Sequence, residues 1–437
     1  MRGSSLLVCF VGSLAIVSNA VAAEEMPPVP DTGEAAAAPP VGERPPAPVS
    51  EQTAPMPLPP QPPVIVTVTP ATVAAPPPSF RVEGASGSSI RVGILLQPQF
   101  QAASSAGTTT RDGYSQNLYI RRTRILLGGT LLGAFEYFID TDYPNLFLAS
   151  NVAGTGGAAD TAVKATPGMN IQDAFGTWKA MKDYLKFDVG YMLPSLAHNA
   201  LQGATTLYSW DYFSYSFQHN ANGVFTTSAS SVGRDAGVQA RGLLVDGHVE
   251  YRAGLFQGRR DGQTANDVAA HNFFRFAARL QINLLDPETG FFYQGSYLGS
   301  KKVVSLGGAM DIQDTYKYFA GDVFVDLPLE QVGVLTVQGN YAHWNGGSFI
   351  TEMPKESAIM AEAGFLVSAI QVSPIVRFEH LFISSGNAGD QTRYVAGLAY
   401  WPFGHNSNLK AFYTRFHEVG AARDTNQFNV QWQLFVY

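Results

Sequence analysis

The side chains with the most chemistry to offer in this sequence are arginines standing at alternate positions among apolar residues. They are Arg91, Arg122, Arg124, Arg241, Arg252, Arg275, Arg279 and Arg377. A guanidinium stays charged and grips an oxyanion through paired donors. Arg275 and Arg279 lie four apart and Arg122 and Arg124 two apart, so on an extended chain each pair shares one face and makes a basic strip. Two readings stand. The arginines line a path for anions, or they pair with acids on the same polar faces. Candidate partners are Glu136, Asp140, Asp142, Asp188, Asp235, Glu250, Asp322, Asp326, Glu362 and Glu379. Arg121 has the opposite parity from Arg122 and is expected at an interface or a bulge. Lys301-Lys302 and Arg259-Arg260 read as solvated turn charges.

Other reactive groups are sparse. His248, His343, His380 and His417 are scattered, with neither a Ser–His–acid signature nor metal-ligand spacing. A triad can be dispersed in sequence, so a hydrolase stays as an alternative, but an enzyme is not expected, nor a metal or cofactor. Glycine-rich phosphate loops and nucleic-acid patches are absent. The one cysteine, Cys9, sits in an N-terminal apolar run, which leaves the mature chain without disulfides or thiolate metal ligands.

The elements that carry the arginines read as strands. In Asn272–Leu284, Phe274, Phe276, Ala278, Leu280, Ile282 and Leu284 oppose Arg275, Arg279, Gln281 and Asn283. Side chains alternate across a strand with period two. The same split recurs in Ile90–Gln101, Val334–Trp344 and Phe428–Leu434. A soluble β-sandwich could show it too. Only 14% of the residues are charged, against ~25% in ordinary soluble domains. No helix-length apolar span follows the first twenty-five residues, and a membrane helix needs roughly 20 apolar residues. Tight connections (Leu132-Gly133, Asp246-Gly247, Val367–Ala369) alternate with long ones (144–169, 192–232, 258–271, 345–357), as in transmembrane barrels. Aromatic residues near segment ends, including Trp178, Tyr191, Tyr316, Tyr341, Tyr400 and Trp401, suit interfacial girdles. Tyr437 ends an aromatic-rich run whose phase slips after Leu434.

Pattern alone yields seventeen strands, and a barrel with both ends on one side needs an even number. Taking 291–312 as one long or kinked strand gives sixteen. The expectation is an all-β, 16-stranded antiparallel transmembrane β-barrel over 81–437, with a lumen wide enough for water. Ahead of it, Arg2, the apolar run Leu6–Val17 and Ala20–Ala23 read as a signal peptide over 1–23. Residues 24–80 read as a disordered, Pro-rich segment: eighteen of the 27 prolines fall between Pro27 and Pro78. That segment is a passive spacer or a periplasmic contact. The localisation implied is a bacterial outer membrane, with outer-membrane lipid around the barrel.

Three stretches carry a family resemblance. They are Tyr119-Ile120-Arg121-Arg122-Thr123-Arg124 with Gly128-Gly129, Gly233-Arg234-Asp235-Ala236-Gly237-Val238-Gln239, and Glu250–Gly258. Over roughly 90–437 the chain resembles the phosphate-selective porin O and P family. The resemblance implies a porin passing small hydrophilic solutes, usually a homotrimer, with a long loop folded inward near 193–233. It also implies small anions such as phosphate as solutes. From their polar-face positions on the strands, Arg122, Arg124, Arg241, Arg252, Arg275, Arg279 and Arg377 are the candidate pore-lining, anion-binding residues. With the first eighty residues set aside, 26 basic and 29 acidic residues remain, a net of −3, which argues against a strongly basic funnel. Around Asp211 that loop carries Tyr208, Trp210, Tyr212, Phe213, Tyr215 and Phe217. They serve as aromatic rails at a constriction or pack the loop onto the wall. A plugged structural or adhesive barrel is the remaining alternative.

Overall fold

The computed structural model describes residues 80–437, apart from 105–113, 153–160, 165–167, 217–218, 221–222, 225–232, 260–272, 385–388, 422–423 and positions 331, 352 and 354. The expected signal peptide and nearly all of the Pro-rich segment lie outside the described residues. Sixteen strands make one antiparallel barrel. In chain order they are β1 Ser89–Ser104, β2 Tyr114–Leu131, β3 Phe135–Asp142, β4 Asn170–Met181, β5 Leu185–Met192, β6 Asp235–Leu244, β7 Val249–Phe256 and β8 Arg275–Asn283. Then come β9 Val303–Gln313, β10 Tyr316–Leu329, β11 Gly333–Asn345, β12 Glu356–Val367, β13 Val372–Ile383, β14 Gln391–Phe403, β15 Ser407–Glu418 and β16 Thr425–Val436. Each pairs with the next, and β16 pairs with β1 to close the sheet. Closure leaves no open edge along the wall.

Period-two patterning decides which face is which. On β8, Arg275, Ala277, Arg279, Gln281 and Asn283 are buried inside, while Leu280 and Ile282 are exposed outside. Ile94, Ile125, Val189, Leu255, Val376 and Leu398 continue that exposed apolar belt around the cylinder. A continuous apolar surface of this kind marks contact with another apolar phase. Trp178, Tyr341 and Tyr400 stand on the outer surface, whereas Tyr316 and Trp401 are only 2% and 1% exposed and pack inside. Proximity to a strand end does not set the face; parity does.

The apparent phase slip after Leu434 is a change of composition only. The backbone keeps its period, Phe435 lies opposite Leu95, and Tyr437 turns inward. Its ring meets Phe138 at 6.0 Å between centroids and lies under the Arg91 guanidinium at 5.0 Å. Gly93 and Gly128 make the notch for it: a Cβ at either would stand 2.6 Å or less from Tyr437 atoms. Gly93→Ala and Gly128→Ala are therefore expected to overpack the seam, costing about 1–3 kcal/mol, read as a lower unfolding temperature in detergent.

The region 291–312 is not one strand. The wall resumes only at Val303, and residues 284–302 form a long connection at the end of the barrel where the other turns are short. At the opposite end β9 and β10 are joined by Asp314-Thr315 alone. Short and long connections thus trade places once, which is why the count of sixteen holds although this segment departs from the expected strand. A four-residue N-terminal strand, Phe80–Glu83, pairs with Ser89–Val92 on the free edge of β1 below β16.

Candidate functional site: two chambers in the lumen

The lumen is filled from both ends. From the long-loop end, residues 193–216 fold inside, with Leu193, Leu196, Leu201, Phe213 and Tyr215 in an apolar cluster against β9–β13. From the short-turn end, 284–302 folds inside to meet them. The two inserts bond through their backbones: Gly203 N donates to Tyr293 O (2.9 Å), Tyr293 N to Leu201 O (3.0 Å) and Gly295 N to Thr206 O (3.0 Å).

Side chains lock this junction. His198, on the first insert, is stacked between Tyr293 (4.6 Å) and Phe324 (4.4 Å). Its Nε2 donates to Glu288 on the second insert, at 2.9 and 3.1 Å from the two carboxylate oxygens. Its Nδ1 faces the Gln202 amide nitrogen at 3.1 Å. Burial alone would raise the pKa of Glu288, but His198, Tyr297 and Gln281 outweigh it and hold the carboxyl below its ordinary value. Both ring nitrogens are engaged, and neither meets a hydroxyl nucleophile.

Asp211 fastens the first insert to the wall. β1 and β2 change register between Leu96 and Pro98. At such a bulge two consecutive residues oppose one, and proline is tolerated there. Arg121 and Arg122 both reach inward from it. Arg121 Nη2 binds Asp211 Oδ2 at 3.0 Å, and Arg122 Nη2 binds Oδ1 at 2.6 Å. Burial would raise the Asp211 pKa, yet the two guanidiniums prevail and keep it well below the usual carboxylate range. Cations also hold the loop backbone. Lys410 Nζ donates to Leu207 O (2.7 Å) and Ser209 O (3.0 Å), and Arg377 to Tyr212 O (3.0 Å) and Asp211 O (2.8 Å).

All seven candidate arginines are buried, and each holds a carboxylate. Arg122 holds Asp211; Arg124 holds Asp140 (3.0 Å) and Asp142 (3.1 Å); Arg241 holds Asp188 (2.8 Å); Arg252 holds Glu250 (2.7 Å). Arg275 holds Asp311 (2.6 Å), Arg279 holds Asp322 (2.6 Å), and Arg377 holds Glu362 (2.6 Å) and Glu379 (3.1 Å). Of the other expected acids, Asp235 lies 3.5 Å from Arg275, Glu136 pairs with Lys179 and Asp326 accepts the Tyr297 N–H. Arg252 also donates to the carbonyls of Phe291 (2.7 Å) and Gly290 (3.1 Å), seating the second insert.

Among the described residues two chambers lie against β2–β4. The upper one, about 330 Å³, is lined by Arg121, Arg122, Arg124, Arg234, Arg377 and Arg393 against three carboxylates, Asp142, Asp211 and Glu379. Trp210, Tyr212 and Phe213 line it, while Tyr208 and Tyr215 are buried in packing the loop to the wall. The lower one, about 620 Å³, is lined by Arg81, Arg91, Lys186 and Arg241 against Glu136 alone, with Phe138, Phe175, Phe291, Phe292 and Tyr437. Asp140 and Asp173, register partners on β3 and β4, stand between the levels of the two chambers on that wall. Arg252, Arg275 and Arg279 line neither chamber. Arg121 stands at a bulge, one of the two places its parity suggested, and Pro98 within a strand is the signal that its side chain turns inward. Arg234 stands out only as part of the Gly233–Gln239 motif, and Arg393 and Lys410 were missed because nothing local separates them from other strand cations. Among the described residues no His, Cys, Asp and Glu grouping could hold a metal ion.

No protein-family model and no curated relative matches this chain. Solved structures do. An anion-selective porin from Comamonas acidovorans is 12% identical, with 80% of this chain and 99% of that one covered, at a TM-score of 0.50. The outer membrane channel DcaP of Acinetobacter baumannii is 10% identical over 81% and 99%, at 0.48. OmpT, an outer membrane protein of Vibrio cholerae, in its trimer form is 12% identical over 80% and 99%, at 0.47. At such identity the likeness to the Comamonas porin shows the barrel fold and nothing finer.

Proposed function

We propose that this chain is an outer-membrane channel passing small hydrophilic solutes, anions in preference to cations, along the β2–β4 wall. The observation that carries it is the pair of chambers on one wall, each with more cations than carboxylates lining it. A charged lining of one sign selects the opposite ion. The net of −3 does not oppose this, because acids such as Asp188, Asp311 and Asp322 are held in buried pairs and line neither chamber. The outer apolar belt faces lipid in this reading, and the short turns and N-terminal strand face the periplasm. Homotrimeric assembly, implied by the family resemblance, belongs to the same proposal and is read from the mass of the detergent-solubilised protein.

The test is a zero-current potential across a potassium chloride gradient in planar bilayers. Chloride preference is expected, with added phosphate lowering the current; cation preference would defeat the anion reading. Arg393→Glu reverses a charge in the upper chamber that is only loosely paired, 3.9 Å from Glu379, and should move the chloride-to-potassium ratio toward unity. A second reading, a closed structural barrel, draws on the backbone bonds between the inserts and predicts no channels from folded protein.

A further inference from the structure

The lower chamber has a wall that simple ion passage does not require. Five aromatic rings run through it in contact. Phe175 lies against Phe291 with centroids 4.4 Å apart, Phe291 meets Phe292 at 4.9 Å, Phe292 meets Phe138 at 5.9 Å, and Phe138 meets Tyr437 at 6.0 Å. Phe175 is buried and joins the packing beneath, whereas Phe138, Phe291, Phe292 and Tyr437 keep part of their surface open. Cations stand at both ends of the arc: Arg91 lies 5.0 Å over the Tyr437 ring and Arg241 5.5 Å over Phe291. Lys186 completes the basic rim. Arg241, Lys186 and Arg81 already hold Asp188, Asp183 and Glu83. Arg91 has no carboxylate partner among the described residues, so its guanidinium is the one with capacity for a further anion.

We propose that this chamber is a binding site for small flat aromatic carboxylates, the ring lying against Phe138, Phe292 and Tyr437 and the carboxylate on Arg91. A guanidinium accepts a carboxylate through two parallel N–H bonds. An aromatic ring in edge-to-face or offset contact with another gains stabilisation beyond its area burial, which a saturated ring of the same size forgoes. A chamber of about 620 Å³ lies within the range that holds drug-sized ligands, so a single substituted benzene fits with water to spare. The second insert supplies Phe291 and Phe292 and the wall supplies the rest. The site is therefore made where the long connection 284–302 replaces a tight turn.

This rests on the channel reading for its route of access but not for its binding chemistry, and the test separates the two. Calorimetry on the full-length protein in detergent would compare benzoate, cyclohexanecarboxylate and acetate. Benzoate should bind about fivefold tighter than its saturated analogue, the scale of a ring contact of about 1 kcal/mol. Phe292→Leu should erase that preference while acetate affinity changes little. Arg91→Gln should weaken all three by about tenfold, the scale of one charge-assisted contact. Unfolding temperature checks that both variants fold. In bilayers, benzoate should shorten open times when added on the side of the short turns. Equal binding of the three acids, or a benzoate preference that survives Phe292→Leu, overturns the site. Conducting channels indifferent to benzoate overturn it and leave the channel standing. Benzoate binding to protein that never conducts overturns the channel and leaves the site.

Discussion

Asp211→Asn is expected to raise single-channel conductance several-fold and to increase the preference for chloride. The carboxylate is the one acid gripped by both Arg121 and Arg122, and its own Oδ1 also accepts the Tyr212 N–H at 2.9 Å. An amide can satisfy part of that geometry but none of the charge. Removing one partner of a buried pair costs about 3–5 kcal/mol, and the lower end applies because the Asp211 side chain is 17% exposed. The cost falls on the seated loop, so the loop yields before the wall does. Two guanidiniums then face the upper chamber without a counter-charge, which explains why selectivity and conductance should rise together. The same contact sets the pH dependence. A carboxyl whose pKa is depressed in the folded state contributes stability above its unfolded value of about 4, lost only as pH falls through the lower folded value. For Asp211 that folded value is well below the ordinary range. Wild-type conductance should therefore stay flat between pH 8 and pH 4. A rise beginning near pH 5 would show that the loop is not held by this pair.

Replacing residues 286–302 by Asn-Gly is expected to have the larger effect on the lumen. Asn283 pairs with Ser305, and Leu284 N donates to Val304 O at 2.8 Å, so Leu285 and Val303 are in place to flank a two-residue hairpin. Asn-Gly suits the type I′ turn that joins such strands. The wall keeps its ladder. The lumen loses the second insert, and with it Glu288, the acceptor for His198, and the backbone partners of Leu201, Gly203 and Thr206. The first insert keeps its Asp211 anchor but loses the far one. Conductance should increase several-fold, approaching the aqueous bore expected of sixteen strands, and discrimination between solutes by size should weaken. An unchanged conductance in a folded variant would mean that solutes never pass beside this insert.

Most of the wall could be read from the residues because a barrel repeats one rule. Arg275, Arg279, Gln281 and Asn283 alternate with Phe276, Leu280 and Ile282, and the structure puts the first set inside and the second outside. The rule fails where the chain leaves the ladder. Gly290-Phe291-Phe292-Tyr293 has the apolar content of a strand, yet Arg252 takes the Gly290 and Phe291 carbonyls and Leu201 of the first insert takes the Tyr293 N–H, partners no local pattern displays. Arg121 departs from the rule where its parity said it would: it stands at the bulge between Leu96 and Pro98, and that bulge turns it in. The charge of the site was hidden for another reason. Net charge sums acids such as Asp188, Asp311 and Asp322, which are neutralised by neighbours, together with the few that border free volume.

The meeting of the two inserts makes assembly conditional. The Leu201 and Thr206 carbonyls and the Gly203 N–H meet the Tyr293 N–H, the Gly295 N–H and the Tyr293 carbonyl across the junction. Neither insert can settle alone in a dry interior without leaving amide groups unsatisfied. The cylinder can zip shut strand by strand, but its filling needs two arrivals from opposite rims at once. The filling of the barrel is thus cooperative: removing either insert should leave the other's junction amides to water and loosen it, with the contact at Tyr293 as the point where the two depend on each other.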